Sequence, residues 1–277
     1  MRALHSTLLI TPQNDPESLL ITKIAQSAGI PLLISEQPHG ARLEHEPSLN
    51  DRLAEHSDAH TLVVVEMPGP AIEEELVASG YDVVIIDHHR YDHLDRMKPK
   101  SSLEQVLTYF EISDDDLRGL GFDPTLVFGI GYIDRGFLWE MEKEHVPADD
   151  QRRIRDYQRK LSRELGDGWE EEEREARVAW KAHEERDGFF IVRTVRTDIS
   201  IRAALSFVLA DLYGKPSPTI IVQGDWRVYV QDADEARVLY SAFGGFTFGQ
   251  DRCWGFASES GRPLPSVDAI LEVIRAA

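Results

Sequence analysis

The chain has 277 residues, 42% hydrophobic and 9% aromatic, a formal charge of -19 and one cysteine, Cys253. That length accommodates two domains or one large one; a lone cysteine excludes a disulfide framework and a thiolate metal site, and no apolar run reaches the roughly 18 to 20 residues that span a bilayer. The negative charge argues against broad attraction to a nucleic-acid backbone, so a nucleic-acid partner requires a local basic groove.

The N-terminal stretch "MRALHSTLLITPQND" has a short apolar run and no small-residue cleavage site, which makes a cytoplasmic location the expectation. Few of the basic residues are lysine, and an acidic, arginine-rich balance also fits a protein adapted to high salt.

In chain order, "TLLIT" 7–11, "ESLLITKIAQSAG" 17–29 and "PLLIS" 31–35 read as strand, helix, strand. "TLVVVE" 61–66, "AIEEELVASG" 71–80 and "DVVIID" 82–87 repeat the rhythm, the signature of right-handed βαβ units on a parallel sheet. Consecutive apolar positions suit strands covered on both faces, and Gly29 and Gly80 stand where helix C-caps belong. "SSLEQVLTYFEI" 101–112, with a serine cap, and "DPTLVFGIGYID" 123–134 look helical. Residues 141–187 are dense in alternating charge and read as two solvated connecting helices, with Glu170–Glu173 as a solvent face. The pattern then returns to α/β: a strand at 189–195, a helix near 199–213, a hairpin around "GD" in 219–232, a glycine-rich "FGGFTFGQDRCWGF" at 243–256, and a closing amphipathic helix at 265–275. The expected architecture is α/β: an open parallel-sheet domain over 1–140, a helical connector over 141–187 and a smaller α/β domain over 188–277.

Open parallel sheets bind ligands beyond the carboxyl ends of their strands, and acids and histidines gather there in this chain. "TPQNDPES" places Gln13, Asp15 and Glu17 at alternate positions, which in an extended loop directs Asp15 and Glu17 to one side. Glu66 follows the third strand, Asp87, His88 and His89 follow the fourth, and Asp134 follows the apolar run in "GYIDRG". Oxygen and imidazole ligands without sulfur suit manganese or magnesium, with zinc or iron as alternatives. Metal-assisted phosphoester hydrolysis is the chemistry such a set implies, with Asp87 placed to fix a histidine tautomer. Each residue also has a plain structural role open to it: Asp15 as an N-cap, Glu66 as a solvated loop acid, the histidines as hydrogen-bonded surface groups.

The segment "VVIIDHHRYDHLDRMKPKSSLEQVL" resembles the signature of the DHH phosphoesterase family, in which Asp-His-His ends a strand and a Ser-Ser-x-Glu helix follows. "GYIDRG" resembles the family's fourth motif, and residues 189–277 resemble its smaller substrate-binding domain. The resemblance implies a bilobal enzyme with Asp87, His88 and His89 catalytic, and Asp15, Glu17, Glu66, His88 and Asp134 holding one or two manganese ions. It implies a nucleotide or short single-stranded nucleic acid as the substrate in the cleft between domains, no membrane partner, and compatibility with a homodimer. The sequence departs from the family at Gln13 and Glu17 in a motif normally His-x-Asp-x-Asp, at Glu66 where Asp is usual, and at Phe246 in a normally Gly-Gly-Gly-His motif of which Gly244 and Gly245 remain. Arg252 and Arg196, with Arg193 and Arg202, are the candidates for substrate phosphate contact. Those departures leave a second reading, a catalytically reduced relative that binds nucleotides or a protein partner. No Ser-Arg-Lys-Lys segment occurs, which argues against an inorganic pyrophosphatase.

Overall fold

The computed structural model describes residues 6–91, 94–166, 168–249, 251–258 and 262–277. Two compact units emerge: residues up to Arg135 together with Asp156–Leu165, and Gly136–Arg155 together with Gly166–Ala277. The charged stretch read as a connector thus contributes residues to both.

The first unit is built on strands β1 (Thr7–Pro12), β2 (Leu32–Ser35), β3 (Thr61–Val65) and β4 (Asp82–Ile86), all parallel in the order β2-β1-β3-β4. Strand alternation splits the apolar residues between two cores. Leu9, Val63 and Val65 pack on one face with α1 (Pro16–Ser27), while Leu8, Ile10, Leu62 and Val64 pack on the other with Leu53 of α2 (Leu49–Ala54) and Leu76 of α3 (Pro70–Ala78). A two-stranded ribbon of β5 (Arg90–Tyr91) and β6 (Leu94–Asp95) follows β4.

Helices α4 (Ser102–Tyr109), α5 (Asp114–Gly119) and α6 (Pro124–Lys143) add to the first core, as does Leu161 of α7 (Ala148–Leu165). Their starts are written in the sequence: Ser101 with Glu104 and Ser113 with Asp116 form reciprocal capping boxes. Helix α6 runs nine residues beyond its expected end at 134, with one non-helical residue, Phe137 (φ 58°, ψ −148°).

The second unit carries α8 (Trp169–Trp180), β7 (Glu184–Arg186), β8 (Phe189–Thr194), α9 (Arg202–Tyr213), β9 (Thr219–Gln223), β10 (Arg227–Gln231), α10 (Ala236–Phe243), β11 (Phe246–Phe248), β12 (Cys253–Ala257) and α11 (Val267–Ala276). Its sheet order is β11-β12-β10-β9-β8-β7, antiparallel except for the β8–β9 pair. The expected hairpin is present with Gln223 opposite Arg227, which makes its loop Gly224-Asp225-Trp226. Ile220, Val228, Val230, Trp254 and Phe256 face α10 and α11 in one core. The acidic run at 170–173 is less solvated than its composition suggests. Glu171 is half-buried and pairs with Arg196, and Glu173 pairs with Arg177 and accepts from Trp169 Nε1 at 3.1 Å. No described helix is long and apolar enough to cross a membrane.

Candidate metal centre

The strand order places β2 on one side of β1 and β3 on the other, so the chain reverses direction across the sheet between β1 and β3. A crevice beyond the carboxyl ends is the natural ligand position there. Residues following β1, β3 and β4 meet at that place, joined by one residue from α6.

The segment after β1 is a helix start, which corrects the extended geometry expected for it. Asp15 is the N-cap of α1, accepting from Ser18 N at 2.7 Å, and Pro16 opens the helix. Glu17 is therefore brought inward by the first helical turn instead of by strand-like alternation. Its side chain is buried, and Oε1 accepts from the Leu103 amide in the first turn of α4 at 2.9 Å. A carboxylate at a helix N-terminus is favoured by the free amides and the helix dipole. Gln13 is exposed, and no contact draws it to the cluster.

Glu66 leaves β3 with φ 51°, a left-handed conformation uncommon for a residue with a side chain. After β4 the three residues diverge. Asp87 is 1% exposed and turns into the protein, accepting from the His89 amide at 3.0 Å and from Tyr91 Oη at 3.0 Å, and it contacts His89 Nδ1 at 3.1 Å. His88 points into the cluster, where Nε2 lies 2.7 Å from Asp134 Oδ2 and 3.2 Å from Glu66 Oε1. His89 remains half exposed on the open side, with Nδ1 3.8 Å from Glu66 Oε1.

Asp134 reaches the cluster because α6 approaches α4 closely. A Cβ at Gly131 would lie 2.6 Å from Ser101 Oγ, so glycine is what permits that approach. The next residue after Asp134 fixes the helix: Arg135 pairs with Glu104 at 3.1 Å and donates to Pro99 O at 2.9 Å. The Ser-Ser-x-Glu segment thus serves the site by capping α4, receiving Glu17 and anchoring α6.

One ligand atom each from Glu17, Glu66, His88 and Asp134 lies within 4.8 Å of all the others. Glu17 Oε2, Glu66 Oε1, His88 Nε2 and Asp134 Oδ2 are also buried atoms without a hydrogen bond. His88 Nε2 approaches Asp134 Oδ2 at 2.7 Å and Glu66 Oε1 at 3.2 Å without forming a hydrogen bond to either, so these atoms face a common point as ligands of one cation do. Glu66, His88 and His89 form a second, overlapping group.

The electrostatics agree. Burial, then the nearby Asp134 and Glu66 charges, push the Glu17 carboxyl well above the usual range, and burial with Glu66 and Asp134 raises Asp15 as well. Burial also pushes Glu66 up, but the close imidazoles of His88 and His89 outweigh it and hold Glu66 at about 2. For His88, burial acts downward and Asp134 and Glu66 prevail, raising it to about 10. The cluster carries more negative charge than its one buried imidazole can balance. Three carboxylates, one imidazole and no sulfur fit a hard or borderline divalent cation.

The substrate-contact candidates lie in the second unit. Arg196 is held by Asp198 at 2.6 Å and Glu171 at 2.9 Å, and Arg193 faces Glu184 at 3.7 Å. Arg252 pairs with Asp234 and stacks on Trp139, its guanidinium carbon 4.6 Å from the ring centroid. Gly244 and Gly245 both take positive φ, and a Cβ at Gly245 would lie 2.2 Å from Gly255 O. Tyr91, Ser101, Leu103 and Gly131 were not among the expected site residues. Only Ser101 had a visible signal, the Ser-x-x-Glu capping spacing.

No family model matches the chain, and no curated protein matches it. Among solved structures, similarity extends to the exonuclease RecJ bound to manganese, at 14% identity over 98% of this chain and 88% of that one, with a TM-score of 0.39. It extends also to RecJ in complex with Mn2+ from Thermus thermophilus, at 14% identity over 98% of this chain and 51% of that one, TM-score 0.45. A pGpG-specific phosphodiesterase, PggH, from Vibrio cholerae is similar at 10% identity over 98% of this chain and 97% of that one, TM-score 0.45.

Proposed function

We propose that the chain is a divalent-metal-dependent phosphoester hydrolase, with manganese as its working ion and magnesium as a substitute, acting on nucleotides or short single-stranded oligonucleotides. The observation that carries this reading is the convergence of four buried, unbonded ligand atoms from Glu17, Glu66, His88 and Asp134 at the reversal point of a parallel sheet. The phosphoester class rests on the resemblance of the Asp87-His88-His89 strand end and the Ser101-Ser102-x-Glu104 helix to the DHH pattern.

Glu17, Glu66, His88 and Asp134 would hold the ion. When bound, it polarises a phosphoryl oxygen and lowers the pKa of a coordinated water. Asp87 fixes His89 by accepting its Nδ1 proton, which leaves Nε2 outside that bond. Burial pulls the His89 pKa down, but its bond to Asp87 and the Glu66 charge raise it above the ordinary histidine value. Its half-exposed imidazole is placed to protonate the departing alkoxide as water adds to phosphorus and the ester P–O bond breaks. Asp15 caps α1, the helix that carries Glu17.

A second reading, a binding module without turnover, draws on the position of Gln13 outside the cluster. Manganese-dependent turnover of a mixed panel of phosphodiesters, dinucleotides and oligonucleotides, lost in the Asp87→Ala, His88→Ala double variant, is the expected result. No turnover on any substrate, with metal content unchanged in the double variant, would favour the binding module.

A further inference from the structure

Charged side chains of the second unit are mostly spent on one another. Arg155 is held by Asp211, Arg237 by Asp251, Arg252 by Asp234 and Arg275 by Asp187. Arg202 is different: among the described residues its guanidinium makes no ion pair, its charge acts on the buried Asp232 only at longer range, and its carbon sits 4.5 Å from the centroid of the Phe248 ring. In a chain of charge -19, a half-buried arginine parked on an aromatic face is available to an incoming anion.

Phe248 belongs to an aromatic group on the sheet face opposite the α10–α11 core. Residue pairing places Phe246 opposite Gly255, Gly255 opposite Tyr229, and Phe248 opposite Cys253, so these side chains share that face. Phe246 and Phe248 ring centroids are 5.9 Å apart, and each lies within 6.4 Å of the buried Tyr229 ring. The support beneath Phe246 is specific. A Cβ at Gly255 would lie 2.5 Å from Phe246 Cζ, so the ring rests directly on the β12 backbone. Its other side is open, for Phe246 is 44% exposed.

We propose that Phe246, Phe248 and Arg202 form a nucleobase-stacking platform, with a base lying on the Phe246 ring and its neighbouring phosphate paired with Arg202. Aromatic side chains on a sheet with an adjacent arginine are the means by which single-stranded nucleic acid is held without base-specific hydrogen bonds. The sequence carries Phe246-Thr247-Phe248 after Gly244-Gly245. Recognition here is therefore by stacking area, tolerant of base identity and intolerant of base removal. This deepens the hydrolase reading by assigning the residues that hold the substrate's base, and it rests on that reading for its ligand being a nucleotide.

The test uses the full chain in chelator at low salt, titrated calorimetrically with an unlabelled single-stranded pentanucleotide and with an abasic pentamer of equal phosphate number. The wild-type chain is expected to bind the base-bearing oligomer about tenfold more tightly than the abasic one. Phe246→Ala and Phe246→Leu should each erase that preference, the leucine variant keeping an apolar side chain over Gly255. Arg202→Gln should weaken both oligomers alike. Val195→Ala, at a 90% exposed position, should change neither. Equal binding of the two oligomers by the wild-type chain, or a preference that survives Phe246→Leu, overturns the platform. So does a dimer that Phe246→Ala abolishes while the preference persists, since the ring then serves self-association. Turnover with manganese is measured separately. Base-dependent binding without turnover retains the platform and removes the hydrolase; turnover on a base-insensitive chain does the reverse.

Discussion

Replacing Asp232 with asparagine should change how the stability of the second unit depends on pH. Asp232 follows β10 and is fully buried; its Oδ2 accepts from Ser206 Oγ at 2.6 Å, while Oδ1 has no partner. Burial raises its pKa to about 7, against the lowering effects of the Ser206 bond and of Arg202. In the unfolded chain the group titrates near 4, so between about pH 4 and pH 7 the native state holds a proton that the unfolded state has lost. Stability therefore falls as pH rises through that window and levels off above it. Three pH units at about 1.4 kcal/mol each bound the loss at about 4 kcal/mol. Asparagine keeps an acceptor for Ser206 and tolerates the left-handed backbone of this position (φ 58°) while removing the ionisation. Urea unfolding of both chains from pH 4 to pH 8.5, monitored by tryptophan fluorescence, should give curves that diverge with pH in favour of asparagine. Parallel curves would refute the argument, because they would mean that Asp232 ionises without cost.

Manganese at 100 times its dissociation constant should stabilise the chain by about 2.7 kcal/mol, an effect reversed by chelator and absent in His88→Ala, as read by thermal melting. Glu17→Gln keeps an acceptor for the Leu103 amide and relieves a crowded buried carboxylate; the metal-free variant should melt no lower than the parent, while its manganese affinity by calorimetry falls at least about tenfold. Gly131→Ala drives a methyl group into Ser101 Oγ and should cost about 1–3 kcal/mol in urea unfolding. Comparable loss of manganese affinity should accompany it, because Asp134 lies one helical turn further on.

The parallel sheet is legible because short apolar runs of Leu, Val and Ile alternate with helical periodicity, and Ser101 as a cap and Pro16 as a first helical residue mark where helices begin. Local patterns of that kind reveal elements; they do not reveal which distant elements touch. Glu17 faces inward for a reason other than the alternation expected for it, since the cap at Asp15 starts a helix where alternation assumes an extended loop. Asp134 stands in a recognisable motif, but Gly131 carries no sign that its missing Cβ admits a serine thirty positions earlier. The continuation of α6 past 134 is hidden in the same way, since its helical run crosses Gly136 and the non-helical Phe137. Arg196 and Arg252 looked available as cations, and only three-dimensional proximity shows the carboxylates that hold them.

Glu17 touches two systems at once. One oxygen accepts from the Leu103 amide and the other has no hydrogen bond, directed among the buried atoms of Glu66, His88 and Asp134. That amide is therefore a spectroscopic witness placed by the fold itself. A diamagnetic cation drawing on one oxygen of Glu17 weakens what the other offers, so the Leu103 nitrogen resonance should move on magnesium titration in proportion to occupancy, and Glu17→Gln should silence it. The state of the centre can thus be followed from a backbone nucleus that is no ligand, with no substrate identified.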